Sequence, residues 1–389
     1  MLTSNRSVSK ANRNALLPAT DRQTVSRRRR PAFTLIELLV VVSIIALLIS
    51  ILLPSLRGAR EQARAVVCGQ MEGAMGRGIM SYAAGSRDWF PGVNTSGVEL
   101  QALQFAGAAD YGVYMDPDLP VQNYDWLTPI LRFDTKLPNN RAERFQLLVN
   151  KYSCPSQLVR KSTLYTGGAG GVVQDLPDFE KLGSWKPLSY LMPVYFQYWG
   201  TSKSSVTLSD FVGAENSFAK VRPKVVPANW DVQVDNFESN MSRIVPPSGK
   251  ILFAEGTRFV YSPRPDIDHD ITLFPTWFGS FTSSGAWRSA SQTYGVKAGS
   301  TNWNGRRLSL GSAAQGANLI LSYRHLRKER GNGSCQGNTG KLSAAFFDGH
   351  VELLSDRESR KIDYWYPKGG IVKINTEGMT DVPLDYVIR

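Results

Sequence analysis

Residues 27–54 read RRRRPAFTLIELLVVVSIIALLISILLP. From position 33 to 53 the chain is apolar for 21 residues, about 31 Å as a helix, which matches a hydrocarbon core of roughly 30 Å. Arg27, Arg28, Arg29 and Arg30 stand directly before it, so the positive-inside rule keeps the N-terminus cytoplasmic and exports everything after about Leu53. One carboxylate, Glu37, interrupts the run. At the centre of a bilayer it would add roughly 2.5 to 3.5 kcal/mol to insertion; near the cytoplasmic end it partly reaches the interface. A cleaved signal peptide needs a small-x-small site after the run, which SILLPSLRGAR does not offer, and the 32-residue basic lead is long. A plain single-pass anchor accounts for the length and the arginines but leaves the glutamate unexplained.

The rest of the composition fits an ordinary folded domain. The chain has 389 residues, 42% of them hydrophobic, enough for a substantial core. Its net charge is +12, but residues 1–32 hold eight Lys/Arg and one Asp, which leaves +5 for everything that follows. A nucleic-acid binder carries its positive charge on the folded domain; here the charge precedes a hydrophobic segment, so no nucleic-acid partner is expected. Cys68, Cys154 and Cys335 form no C-x-x-C pair, and their spacing predicts no zinc site. In an oxidising compartment they allow one disulfide and one leftover thiol in any of three pairings.

Beyond Pro54, Leu56, Ala59, Ala63, Val67, Met71, Ala74, Ile79 and Tyr82 recur at mostly three- and four-residue spacing, which predicts an amphipathic helix to about residue 82. Pro54 should bend the helix rather than end it. Gly69, Gly73, Gly76 and Gly78 each weaken it and predict fraying. After Arg87, short apolar runs cut by Gly, Pro, Asn and Ser predict antiparallel strands and long loops, with strands at 189–196, 221–226, 250–254, 319–323 and 341–347. Pro193 and Pro223 demote the first two to sheet edges. Asp348-Gly349 in KLSAAFFDGHVELLS predicts a two-residue hairpin with positive φ at both positions. The aromatic residues around 195–199 and 274–287 read as core, with an exposed glycan- or surface-binding cluster as the alternative.

Catalytic signatures are lacking: no G-x-S-x-G, H-E-x-x-H or Walker loop occurs, and the histidines are His269, His325 and His350. The DGH of 348–350 could join His325 in a metal or catalytic site, although hairpin chemistry alone explains the Asp and Gly. RPDIDHDIT places Asp266, Asp268 and Asp270 on one face of an extended segment, a candidate Ca²⁺ site that is not an EF-hand; no other cofactor is expected. A Cys68–Cys154 disulfide would tie the helix to the domain; two separately buried thiols are the alternative.

FTLIELLVVVSIIALLISILLPSL resembles the N-terminus of type IV pilins and type II secretion pseudopilins. The resemblance implies cleavage between Ala32 and Phe33 by a prepilin peptidase and methylation of the new amine, although Ala32 stands where the family usually has Gly. It makes Pro54 the helix-kinking proline and gives Glu37 an assembly role, facing the N-terminal ammonium of a neighbouring subunit. Later segments resemble a large planctomycete-type group of such proteins. They are the cysteine segment CGQMEGAMGRGIMSYAAGSRDWFPG, the Cys-Pro of CPSQ, GKILFAEGTR with Glu255, and a C-terminal His…Asp-Gly motif formed by His325, Asp348 and Gly349. The group's usual interval in that motif is nine residues, here 22.

The expectation is an α+β, pilin-like chain: a basic leader at 1–32, a membrane-spanning and then amphipathic helix at 33–84, and an exported head of antiparallel strands at 85–389. Its partners would be the prepilin peptidase, other pilin or pseudopilin subunits and the inner membrane, and its function assembly rather than turnover. The alternatives are a stand-alone membrane-anchored envelope protein whose head binds a glycan or cation, and an anchored hydrolase.

Overall fold

The computed structural model describes residues 34–89, 91–92, 121, 125–132, 136–157, 176–183, 185–186, 188–197, 201–203, 225–227, 232–235, 237–256, 259–261, 265–267, 281–282, 285–286, 293–294, 321–326, 340–373 and 382–389. The chain divides into two compact units, Met1–Pro54 and Ser55–Arg389.

Helix α1 (Leu35–Gly85) belongs to both. In the first unit its side chains are exposed all round, on a stretch long and apolar enough to cross a membrane. Ser43 and Ser50 turn their hydroxyls back onto the carbonyls of Val40 and Leu47 at 2.7 Å, so neither leaves a polar hydrogen facing apolar surroundings. Pro54 lies within the helix and does not end it.

In the second unit α1 buries Ala65, Cys68, Glu72, Met75, Gly76, Ile79 and Ala83. This corrects the predicted stripe by about one residue: Leu56, Ala59, Ala63, Val67 and Ala74 are exposed, and of the predicted set Ile79 is fully buried. The apolar count failed because the true inner face carries a thiol and a carboxylate. The helix runs without a break through these glycines to Gly85. Gly78 allows close approach, since a Cβ there would stand 3.1 Å from the Cβ of Ile130 in α2 (Leu127–Arg132).

The head is α+β, as expected. Its five-stranded sheet runs in the order β5-β4-β2-β1-β3, with β1 (Tyr190–Pro193), β2 (Ile251–Glu255), β3 (Phe281–Thr282), β4 (Lys341–Phe346) and β5 (Val351–Ser355). The first four in that order pair antiparallel, while β3 joins β1 in parallel. Central β2 is buried along its whole length, which is why ILFAE reads as a continuous apolar run rather than an alternating one. Strand β1 is not an edge strand. Tyr190 and Leu191 pair with β2, while Met192 and Pro193 pair with β3, so the proline falls at the strand's last position. Val225–Pro227 pairs in parallel with Thr201–Lys203, another departure from the all-antiparallel expectation; Pro223 lies outside the described residues.

The Asp348-Gly349 hairpin joins β4 and β5 with a three-residue loop instead of the predicted two. Gly349 N–H donates to the Phe346 carbonyl and Phe346 N–H to that of His350, both at 2.9 Å. Gly349 alone of the pair takes positive φ, 91°, the geometry of a type I turn closed by a left-handed glycine.

Three short helices pack on the other elements. Asp125 caps α2 through the N–H groups of Leu127 and Thr128 at 2.9 and 2.8 Å. Asn140 caps α3 (Arg141–Lys151), whose Phe145 meets Phe179 of α4 (Leu176–Lys181) and Trp185 at ring distances of 6.0 and 5.5 Å. Tyr195 and Phe196 are core, as predicted; Tyr198, Trp199 and the candidates at 274, 277, 278 and 287 lie outside the described residues.

Candidate functional site

At the start of α1 the sequence TLIE closes on itself. The Thr34 hydroxyl oxygen accepts from Glu37 N–H at 3.2 Å, and the Glu37 carboxylate accepts from the Thr34 N–H and hydroxyl at 2.8 and 2.9 Å. This reciprocal pattern is a capping box. Glu37 therefore has a local role, satisfying helix-start donors that hydrocarbon would leave bare. The signal was in the sequence as T-x-x-E. Ala32 and Phe33 lie outside the described residues.

A second constellation lies in the head, where α1 crosses the end of the sheet. Glu255, the last residue of β2, sits opposite Tyr190, the first of β1. His325 is held beside β4 by exchanging backbone hydrogen bonds with Lys341, at 3.2 and 2.7 Å. Cys154 follows α3, and Cys68, Glu72 and Glu61 come from α1. Cys68, Glu72, Glu255 and His325 are wholly buried and Cys154 nearly so.

These side chains form one network. His325 Nε2 lies 3.0 Å from Glu255 Oε1 and 3.5 Å from Cys154 Sγ, while its Nδ1 faces Glu61 Oε1 at 3.3 Å. Cys68 Sγ donates to Glu255 Oε1 at 3.3 Å and lies 3.2 Å from the Tyr190 hydroxyl. Ser343 of β4 donates its N–H to Glu255 Oε2 at 3.3 Å and its hydroxyl to Glu72 Oε2 at 2.6 Å. Arg324 Nε stands 3.8 Å from Glu255. Among the described residues, Glu72 Oε1 and both terminal nitrogens of Arg324 are buried without a hydrogen-bond partner.

The electrostatics follow from this crowding. Burial pushes the Glu255 carboxyl up, but Arg324 and then His325 outweigh it and hold it below its ordinary value. Burial opposes charge on His325 too, yet its contacts with Cys154 and Glu255 raise it to about 10. The hydrogen bond between the thiols splits them: Cys154 falls to about 7, helped by His325, and Cys68 rises, helped by burial. Glu72 is pushed well up by burial and by the charge of Glu255. Among the described residues the site is thus a charged knot inside the head, buried except at the partly exposed Glu61.

Sequence reasoning had these residues in pieces. It paired Cys68 with Cys154, and the structure places them side by side as free thiols. It grouped His325 with Asp348 and Gly349, whereas these mark opposite ends of β4, roughly 20 Å apart for six extended residues. The Asp348 carboxylate instead takes His350, at 2.5 Å, which stacks on Phe346. Glu255 was noticed without a role, and Glu61 and Glu72 were passed over. Each of the four later segments that carry the family resemblance contributes to the knot: Cys68 with Glu72, Cys154, Glu255, and His325 beside Arg324. Of the acidic triplet, the backbone of Asp266 pairs with Val260, and Asp268 and Asp270 lie outside the described residues, as does Cys335.

Residues 27–53 match the prokaryotic N-terminal methylation motif. The methylation motif covers the arginines, Phe33 and Glu37 and runs through the exposed apolar part of α1. Together the motif and the long apolar helix support a type IV pilin-like protein; among the described residues, one helix is long and apolar enough to cross a membrane. No curated protein and no solved structure matches the chain.

Proposed function

We propose that this chain is a pilin-like or pseudopilin structural subunit, cut before Phe33 by a prepilin peptidase and assembled through α1 into a type II secretion or type IV pilus-like filament. The observation that carries this reading is the methylation motif at the head of a helix whose apolar side chains from Leu35 to Leu56 stay exposed. Such a surface requires lipid before assembly and neighbouring helices after it. The arginines orient the N-terminus to the cytoplasm and the head to the periplasm or cell exterior. Prepilin peptidase, sister subunits and the inner membrane are its partners.

Two measurements test this. Mass spectrometry of the mature N-terminus is expected to find methylated Phe33; an intact Met1, or a cut near residue 55, overturns the proposal. Because Glu37 also caps its own helix, Glu37→Ala confounds two losses, whereas Glu37→Gln keeps the capping bonds and removes the charge. Loss of subunit co-purification in Glu37→Gln assigns the assembly role to the charge, and normal co-purification rejects that role.

A further inference from the structure

Cys68 Sγ, Cys154 Sγ, Glu255 Oε1 and His325 Nε2 come from four separate segments and all lie within 4.8 Å of one another. Three of the separations between them are 3.0, 3.3 and 3.5 Å. A tetrahedral zinc centre with bonds of about 2.0 to 2.3 Å holds its donors about 3.3 to 3.8 Å apart. Two of these three separations fall in or at the edge of that range and the third is just short of it, and the remaining ones stay within 4.8 Å, so small side-chain rotations would seat four donors round one ion. Two thiols, an imidazole and one carboxylate form a mixed soft set suited to Zn²⁺, not to the all-oxygen shells of Ca²⁺ or Mg²⁺.

The surroundings match as well. A zinc-bound histidine ordinarily presents its second nitrogen to a carboxylate, and His325 Nδ1 faces Glu61 at 3.3 Å. The Ser156 N–H donates to Cys154 Sγ at 3.4 Å, and Tyr190 and Ser343 support Cys68 and Glu255. A disulfide would use two of the four donors and leave the buried His325–Glu255 pair unaccounted for. We propose that Cys68, Cys154, Glu255 and His325 form a four-coordinate structural zinc site that fastens α1 to the end of the sheet. With no position left for water, the site is a clip rather than a catalyst.

The test uses the full-length chain in detergent, in a Cys335→Ser background so that only two thiols report. Metal analysis of protein purified without chelator should find one zinc per chain. After reduction and chelation, added Co²⁺ should give intense tetrahedral visible bands and a thiolate charge-transfer band, both erased by Zn²⁺. Cys154→Ser should weaken the charge-transfer band. Glu61→Gln, at a partly exposed position outside the ligand set, should lower Zn²⁺ affinity about 10- to 100-fold while keeping the tetrahedral bands. Folded, reduced protein that takes up neither metal overturns the proposal. So does an intact mass lower by two hydrogens with both thiols blocked, which would make the pair a disulfide.

Discussion

The ammonium of Lys250, buried just before β2, donates to the backbone oxygens of Asp363 and Arg389 at 2.8 and 2.7 Å. Burial lowers its pKa from 10.5 to about 8, against the pull of Asp363 and with the push of Lys361 and Lys368. The native state therefore gives up this proton before the unfolded chain does. Between about pH 8 and 10.5 the unfolded chain holds more protons, so this group makes stability rise with pH; below about 8 its cost is constant. Relative to Lys250→Met, wild type should gain up to about 1.4 kcal/mol per pH unit across that window. Urea melts of both proteins at pH 7, 8 and 9.5 check this, and parallel profiles would contradict it. The same scale shows what the sequence hides: KILFAE gives no hint that its lysine is inside, because the two backbone oxygens that hold it lie 113 and 139 residues away.

At the level of elements, β4 depends on a glycine that no pattern singled out. A Cβ on Gly340 would stand 2.2 Å from the carbonyl oxygen of Tyr323 and 3.1 Å from that of His325. Backbone cannot yield as a side chain tip can, so Gly340→Ala must push the His325 segment off β4. The expected loss is roughly 1 to 3 kcal/mol or more, read by chemical denaturation; an unchanged midpoint would refute the close approach. The strands were legible where apolar runs are continuous: 250–254 and 341–347 became Ile251–Glu255 and Lys341–Phe346. Helix α3 was missed although NNRAERFQLLVNK holds a capping Asn140 and apolar residues at 145, 148 and 149, because the surrounding loop texture dominated the reading. The inner face of α1 was misassigned for a different reason. Periodicity counts carbon, and that face is built around Cys68 and Glu72.

For the molecule as a whole, membrane segment and head differ in what a sequence reveals about them. The segment is encoded by neighbours in sequence, so its length, charge flank and glutamate could all be read directly. The knot is encoded by distance: His325 reaches Glu255 across 70 residues and Cys154 across 171, and no local spacing rule detects that. The proposed filament makes a complementary prediction for the outer face of α1, where Val66 and Val67 are about half exposed. Val67→Lys touches no core, so the head's stability should stay within about 0.5 kcal/mol of wild type. Assembly, measured by sedimentation of sheared surface filaments, should nevertheless fall sharply. Unchanged sedimentation would mean that this face is not buried between subunits.

The backbone exchange between His325 and Lys341 also has a practical use. It fixes the chain at His325 and at Lys341, so length added between residues 327 and 339, clear of Gly340, hangs from two fixed points and leaves the sheet register alone. Doubling the length of a flexible connection costs only about 0.6 kcal/mol in closure entropy. Antibody binding to an epitope tag spliced into this interval would turn the spacing of gold particles along the proposed filament into a ruler.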